Sequence, residues 1–221
     1  MTNAPAAYRV IAYIDGFNLY FGLRESGWRR YYWLNVKALA QSLLKPNQVL
    51  VGTKYFTARI SGARAGDSLA RGRERDASRQ RQCDFLDALG TLPDFRTYEG
   101  HFLDKTMQCF NCKHTWDTYE EKMTDVQIAT ELLTDAFEDR FDTALLISGD
   151  SDLVPPIRSI RRLFADKRVI VAFPPARSSE QLKRTATASF VIGEAKLRKS
   201  QFPDEVALPN GYVLRRPLSW R

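Results

Sequence analysis

The chain has 221 residues, 44% of them hydrophobic, which is enough to close the core of one α/β domain of ordinary size. Lysine and arginine (33) exceed aspartate and glutamate (26), and the resulting net charge of +7 favours polyanionic partners. There is no apolar run long enough to span a bilayer, residues 1–5 lack the character of a signal peptide, and three cysteines do not suit a disulfide framework. The expectation is a cytoplasmic protein without a membrane partner, its thiols free or held by a metal.

The first strand is expected over 8–14, where Val10 to Ile14 read as an apolar run covered on both faces. It runs into Asp15-Gly16-Phe17-Asn18, ahead of a helix opening over 17–23. Residues 26–33 interleave Trp28, Tyr31, Tyr32 and Trp33 with Arg29 and Arg30. Such a mixture either stacks bases while holding phosphates or closes over the core beside a helix at 36–44. A second strand is expected over 49–57. The stretch 61–82 carries Arg64, Arg71, Arg73, Arg75, Arg79 and Arg81 against only Asp67, Glu74 and Asp76, with Gly62, Gly66 and Gly72 loosening its first half. It reads as a flexible basic loop leading into a helix over 78–89, suited to a phosphate backbone or simply solvated.

A short third strand is expected over 95–98. Beyond it, Cys109-Phe110-Asn111-Cys112 is a C-x-x-C pair, with His101, His114 and Cys83 as further donors. A closed tetrahedral zinc site needs four ligands, and two stand at good spacing here, so a structural zinc and a pair of ordinary loop thiols are the two readings. Neither assigns the cysteines a chemical role. Thr124 and Gln127 have capping-box spacing, and Val126, Ala129, Leu132, Leu133, Ala136 and Phe137 follow at helical period. Asp125 falls in the first turn of that helix, where the dipole favours its ionised form.

In the fourth strand, 143–148, four aliphatic residues end at Ser148-Gly149-Asp150-Ser151-Asp152. Gly149 reads as permitting a sharp turn. Asp150 and Asp152 then share the crevice outside a strand end, where carboxylates repel unless a cation or proton lies between them. The plainer alternative has Asp152 capping a helix over 153–164 and Asp150 in a polar turn. A fifth strand over 168–173 precedes a helix capped by Ser178 or Ser179 and running to 185. From 193 onward the chain is basic and broken by prolines, an arm for the body or for a second copy, and together with the aromatic content it points to a homodimer. Alternating strands and helices predict a three-layer α/β domain with a mostly parallel sheet of about five strands, the first and fourth adjacent at its centre. The domain is expected over 1–192 with a Cys-containing insertion near 101–119, followed by a basic tail over 193–221.

Three signatures occur in order: Tyr13-Ile14-Asp15-Gly16-Phe17-Asn18-Leu19, Glu121-Lys122-Met123-Thr124-Asp125-Val126, and Ser148-Gly149-Asp150-Ser151-Asp152-Leu153-Val154-Pro155. Together they resemble the NYN domain family, in particular its LabA-like branch, over roughly residues 8–187. The resemblance implies a Rossmann-like fold similar to PIN and FLAP-nuclease domains, and metal-dependent cleavage of RNA leaving a 5′-phosphate and a 3′-hydroxyl. Asp15, Asp125, Asp150 and Asp152 match the family's acidic set, which gathers around Mg²⁺ or Mn²⁺. Asn18 matches the asparagine of the first motif, expected to orient Asp15 or a water, and Glu121 and Lys122 stand at its acidic-basic pair. Lys122 would offset charge on the phosphate. The arginines of 64–81 would give salt-sensitive RNA binding. Two other functions are compatible with the branch: a monooxygenase hydroxylating a succinoyl-substituted hydroxypyridine in nicotine breakdown, and a non-catalytic RNA-binding regulator. The sequence carries no G-x-G-x-x-G to support the former.

Overall fold

In the computed structural model residues 7–64 and 67–221 are described, apart from the side chains of Asp104, Asp117, Tyr119 and Glu120. Strands β1 (Tyr8–Asp15), β2 (Gln48–Ala58), β3 (Phe95–Gln108), β4 (Thr115–Lys122), β5 (Thr143–Ile147), β6 (Arg168–Phe173) and β7 (Ala188–Val191) form one sheet in the order β4-β3-β2-β1-β5-β6-β7. Every neighbouring pair is parallel except β3 with β4. The sheet thus has seven strands where about five were expected. Both additions lie at its edges.

The doubly apolar strands have a direct cause. Along β1, Val10, Ala12 and Ile14 enter one core with Leu19, Leu39 and Leu89, while Ile11 and Tyr13 enter the other with Ile128, Leu132 and Ile157. The first core is covered by α1 (Gly16–Glu25), α2 (Val36–Ser42) and α3 (Leu69–Gly90), the second by α4 (Thr124–Phe137), α5 (Val154–Leu163) and α6 (Glu180–Thr185). Each fully buried aliphatic side chain contributes about 1.5–3 kcal/mol by leaving water. Three layers result, as the alternating pattern predicts.

Three local expectations need correction. The arginine-rich stretch is mostly helix: α3 starts at Leu69, capped by the Ser68 hydroxyl, so five of its six arginines are helical and only Arg64 is in the loop. Its arginines, alanines, glutamates and glutamines are good helix formers, which outweigh Gly72. Gly66 lies outside the described residues. The region near 101–119 is the outer part of a long antiparallel hairpin, since β3 continues to Gln108 and returns as β4. Finally, Thr124 caps nothing. Met123, in a left-handed conformation (φ 81°), precedes α4, and the Thr124 hydroxyl is buried without a partner.

The aromatic-arginine stretch closes over the core. Trp33 is fully buried and donates from Nε1 to the Pro203 carbonyl at 2.8 Å, and Tyr31 is buried. Residues 193–221 lie on this same side: α7 (Glu194–Lys199) and a hairpin of β8 (Glu205–Ala207) and β9 (Val213–Arg215) bring Leu197, Phe202, Val206, Leu214 and Trp220 into the first core. Among the described residues no helix is long and apolar enough to cross a membrane.

Candidate acidic site

Strand order places a topological switch at β1 and β5. From β1 the chain moves to β2 on one side, and β5 leads to β6 on the other, so a crevice opens at their carboxyl ends. Ile14 pairs with Ile147, which sets Asp15 beside Ser148. That adjacency is what the two acidic strand ends require.

Asp15 is 3% exposed, and both its oxygens are engaged. Oδ1 accepts from the Asn18 backbone N–H at 2.9 Å, capping α1, and Oδ2 accepts from the Ser148 hydroxyl at 2.8 Å. Asn18 in turn accepts from the Gly149 N–H at 3.0 Å, tying the first motif to the third. Ser148 Oγ also accepts from the Asp150 N–H at 3.0 Å, and Asp150 accepts from the Asp152 N–H at 2.9 Å. Asp150, not Asp152, is therefore the capping residue of the turn Ser151–Leu153.

Glycine at 149 serves close approach, not a special φ. A Cβ there would meet Arg177 Cβ at 3.1 Å and Asn18 Oδ1 at 3.2 Å. Gly16 works the same way, since a Cβ would stand 2.6 Å from the Tyr55 ring and 2.7 Å from the Phe56 carbonyl. It lets α1 begin directly against β2.

Asp125, in the first turn of α4, joins this crevice from the far end of the β3–β4 hairpin. Burial pushes its carboxyl up to about 7, and the charges of Asp15, Asp150, Glu121 and Asp152 push in the same direction. Burial likewise raises Asp15 to about 6, against the Asn18 and Ser148 hydrogen bonds and with the help of Asp150 and Glu121. The four expected aspartates are thus brought together, and Glu121 is a fifth carboxylate of the same group. Its Oε1 is buried with no hydrogen-bond partner. The E-K-M-T-D signature already contained it, but nothing in its spacing separated it from a surface strand residue.

Lys122 is placed differently. Glu121 pairs across the hairpin with Phe102 and Lys122 with His101, so strand alternation sends Lys122 to the face opposite Glu121. Of the arginines, Arg71, Arg73 and Arg79 are exposed, Arg75 pairs with Asp67 at 3.2 Å, and Arg81 pairs with Glu74 at 2.8 Å. Arg64 and Arg75 line a cavity of about 240 Å³ that also touches Phe102.

Cys109 and Cys112 sit at the tip of the hairpin, where the Cys109 thiol is held low by the backbone N–H groups of Cys112 and Asn111. His101 stands at the other end of the hairpin, and Cys83 lies on α3 near Arg59. Among the described residues no three histidine, cysteine, aspartate or glutamate side chains converge closely enough to hold a metal ion by themselves. This applies to the hairpin tip and to the acidic crevice alike. In the crevice the donors are nevertheless of the right kind: hard carboxylate oxygens, one of them orphaned, raising each other's proton affinity.

The chain is 28% identical to 6-hydroxy-3-succinoylpyridine 3-monooxygenase HspA of Pseudomonas putida, over all of this chain and 77% of that protein. Its fold resembles the crystal structure of a protein of unknown function from Vibrio parahaemolyticus, with a TM-score of 0.51 at 17% identity, covering 87% of this chain and 98% of that one. The NYN domain pattern matches residues 9–194, from the strand that delivers Asp15 to the helix beyond β7, with all five carboxylates inside it. A match of that extent makes the chain a member of the NYN domain family.

Proposed function

We propose that the protein is a metal-dependent ribonuclease whose centre is the group Asp15, Glu121, Asp125, Asp150 and Asp152. The single observation that carries this reading is the gathering of these carboxylates at the switch point, where burial first, and the neighbouring carboxylate charges after it, raise Asp15 to about 6 and Asp125 to about 7. NYN membership supports a nuclease-like hydrolase. Mg²⁺ or Mn²⁺ suits the donors. Hard carboxylate oxygens suit an ion that keeps several of its own waters, as Mg²⁺ does. Asp125, Asp150, Asp152 and Glu121 would hold it, and when bound it supplies Lewis acidity toward a phosphate oxygen and toward water.

The chain's own residues do the positioning. Asn18 fixes the Gly149 backbone, and Ser148 fixes both Asp15 and Asp150, so the two strand ends keep one geometry. Asp15, the most buried of the group, is the natural anchor. The exposed arginines of α3 offer sequence-independent attraction to phosphates. Zinc at Cys109 and Cys112 remains a separate proposal with a structural role only, and His114, whose carbonyl accepts from the Cys109 N–H at 2.8 Å, is the further donor that stands at the same hairpin tip.

A second reading is favoured by the Pseudomonas putida relative: oxygenation of a succinoyl-substituted hydroxypyridine. Two cavities of about 200 and 240 Å³ lie elsewhere on the molecule. Neither is lined by a carboxylate of the acidic group. The deciding experiment incubates the protein with labelled RNA and Mg²⁺ or Mn²⁺, and in parallel with 6-hydroxy-3-succinoylpyridine, NADH and oxygen. RNA fragments without hydroxylated product are expected. The converse result would establish the oxygenase, and RNA binding with neither product would leave a regulator.

A further inference from the structure

The sequence suggested base stacking at Trp28 to Trp33, but those rings serve the core. The exposed aromatics are elsewhere. Helix α1 turns Leu19 and Leu23 inward and presents Phe17, Tyr20, Phe21 and Arg24 at i, i+3, i+4 and i+7 on its outer face. Tyr20 is 42% and Phe21 36% exposed, and Phe17 is half-buried. Their rings form a connected row: Phe102 to Phe17 at 5.5 Å, Phe17 to Phe21 at 6.5 Å, Phe21 to Tyr20 at 5.3 Å and Tyr20 to Tyr32 at 5.0 Å between centroids.

Two guanidinium groups lie over the same ring, Arg24 at 5.9 Å and Arg177 at 5.8 Å from the Phe21 centroid. Arg177 also packs its Cβ against Gly149 and pairs with Glu25, so it spans from the acidic turn to the far end of α1. At the other end, Phe102 stands opposite Glu121 in the hairpin and lines the Arg64 and Arg75 cavity. The row therefore starts beside the carboxylates and leads away from them with positive charge alongside.

We propose that the outer face of α1, with Phe102 and Arg177, is a stacking platform for unpaired nucleobases that feeds a single strand to the acidic site. The proposal rests on the nuclease reading for its direction but not for its chemistry. Aromatic rings accept any base face, and arginines beside them take the phosphates. A duplex hides those base faces, so the platform selects unpaired segments. From Phe17 to Arg24 the helix rises about 10 Å, and at about 3.4 Å per nucleotide that is room for about three bases. An apolar protein partner or a second copy would suit a patch of leucines and methionines better than a row of rings with two guanidinium groups beside Phe21.

The test uses the full chain carrying Asp150→Asn, so that bound RNA is not turned over, and a fluorescent oligoribonucleotide, single-stranded or annealed to its complement. In that background the Tyr20→Leu/Phe21→Leu pair keeps apolar surface and helix propensity while removing the π faces. It should bind the single strand roughly tenfold more weakly, within the range of a lost base–aromatic stack, with the duplex unaffected. Phe21→Trp, a larger ring, should bind the single strand at least as tightly as the background protein, which also guards against a folding defect. Unchanged single-strand affinity, or an equal loss for duplex, overturns the platform. So does a change in molecular mass by light scattering in place of a change in affinity, which would make the face a contact between copies. Cleavage by the protein with Asp150 intact is measured alongside. Binding that depends on Tyr20 and Phe21 without cleavage overturns the nuclease and leaves the platform; cleavage with binding independent of them does the reverse.

Discussion

Helix α4 carries carboxylates into two contrasting surroundings. In its middle, Glu131 and Asp135 face the sheet, where Lys54 Nζ donates to Glu131 at 2.6 Å and to Asp135 at 2.5 Å, and Tyr98 donates to Glu131 at 2.7 Å. Tyr13 and Arg140 complete the coordination of Asp135. Burial favours the neutral form of Glu131, but the Lys54 ammonium and the Tyr98 hydroxyl outweigh it and hold that carboxyl below its usual range. At the first turn of the same helix, burial and the charges of Asp15, Asp150, Glu121 and Asp152 move Asp125 the opposite way, to about 7. Buried charge that the fold uses is matched by its own cations. Charge left unmatched among the described residues, at a strand-end crevice, keeps its capacity for a partner from outside.

Breaking the matched group should produce the largest effect on stability. Lys54→Met leaves two carboxylates against Tyr13 and Tyr98 with no ammonium, and a loss of about 3–5 kcal/mol is expected for an opened buried pair. In thermal unfolding that is a drop of roughly 10 °C for a chain of this length. A loss under about 1 kcal/mol would erase the distinction between the two groups.

The unmatched group should respond to pH. In the folded protein Asp15 is pushed up to about 6 and Asp125 to about 7, from the ordinary aspartate value of 3.8 that each has in the unfolded chain. Between those limits the folded state holds more protons, so stability of the metal-free protein falls as pH rises through the window and the full penalty stands above it. A higher melting temperature at pH 5.5 than at pH 7.5 is the expected result, and saturating Mg²⁺ or Mn²⁺ should flatten the difference. The carboxylates held low by cations, Asp139 and Asp142, act only below this range. A smaller effect in the same direction is expected from Asp125→Asn, which removes one repelling charge. After allowance for solvent screening, the metal-free protein should gain on the order of 1 kcal/mol. A destabilised variant would mean that Asp125 is a structural cap.

Much of this contrast could be read from the residues, and the reasons for the remainder are physical. Both central strands and the adjacency of Asp15 to Asp150 followed from apolar runs that stop at acids, because burial on two faces leaves no alternation to misread. Glu121 was harder to place: on a polar strand its role depends on the hairpin register that sets it opposite Phe102, which is a tertiary fact. The hairpin itself was missed because β4 is rich in polar and charged residues and the turn at Asn111 and Lys113 lacks a strong hairpin dipeptide. The basic loop was a helix, since glycine and charge together look like a loop until the propensities of the intervening residues are added. The Lys54 network was invisible for the same reason as Glu121, its partners being 77 and 81 residues away.

The smallest expected effect is on α3. Arg73→Ala and Arg79→Ala sit on exposed positions, so stability should stay within about 0.5 kcal/mol. RNA affinity should weaken, and the salt dependence of binding should lose about one unit of slope for each phosphate contact removed. An unchanged slope would move the phosphate track off this helix.

The central claim, that the unmatched carboxylates form an RNA-cleaving centre, is tested most directly by comparing the parent and Asp150→Asn proteins, purified identically, on labelled RNA with Mn²⁺ or Mg²⁺. The substitution keeps the shape of the side chain and its place as an acceptor for the Asp152 N–H while removing one charge. The parent should cut, cutting should stop with EDTA, and the variant should be slower by roughly a hundredfold or more while still binding the same RNA. Equal cutting by the two proteins, or cutting that survives EDTA, would contradict the account.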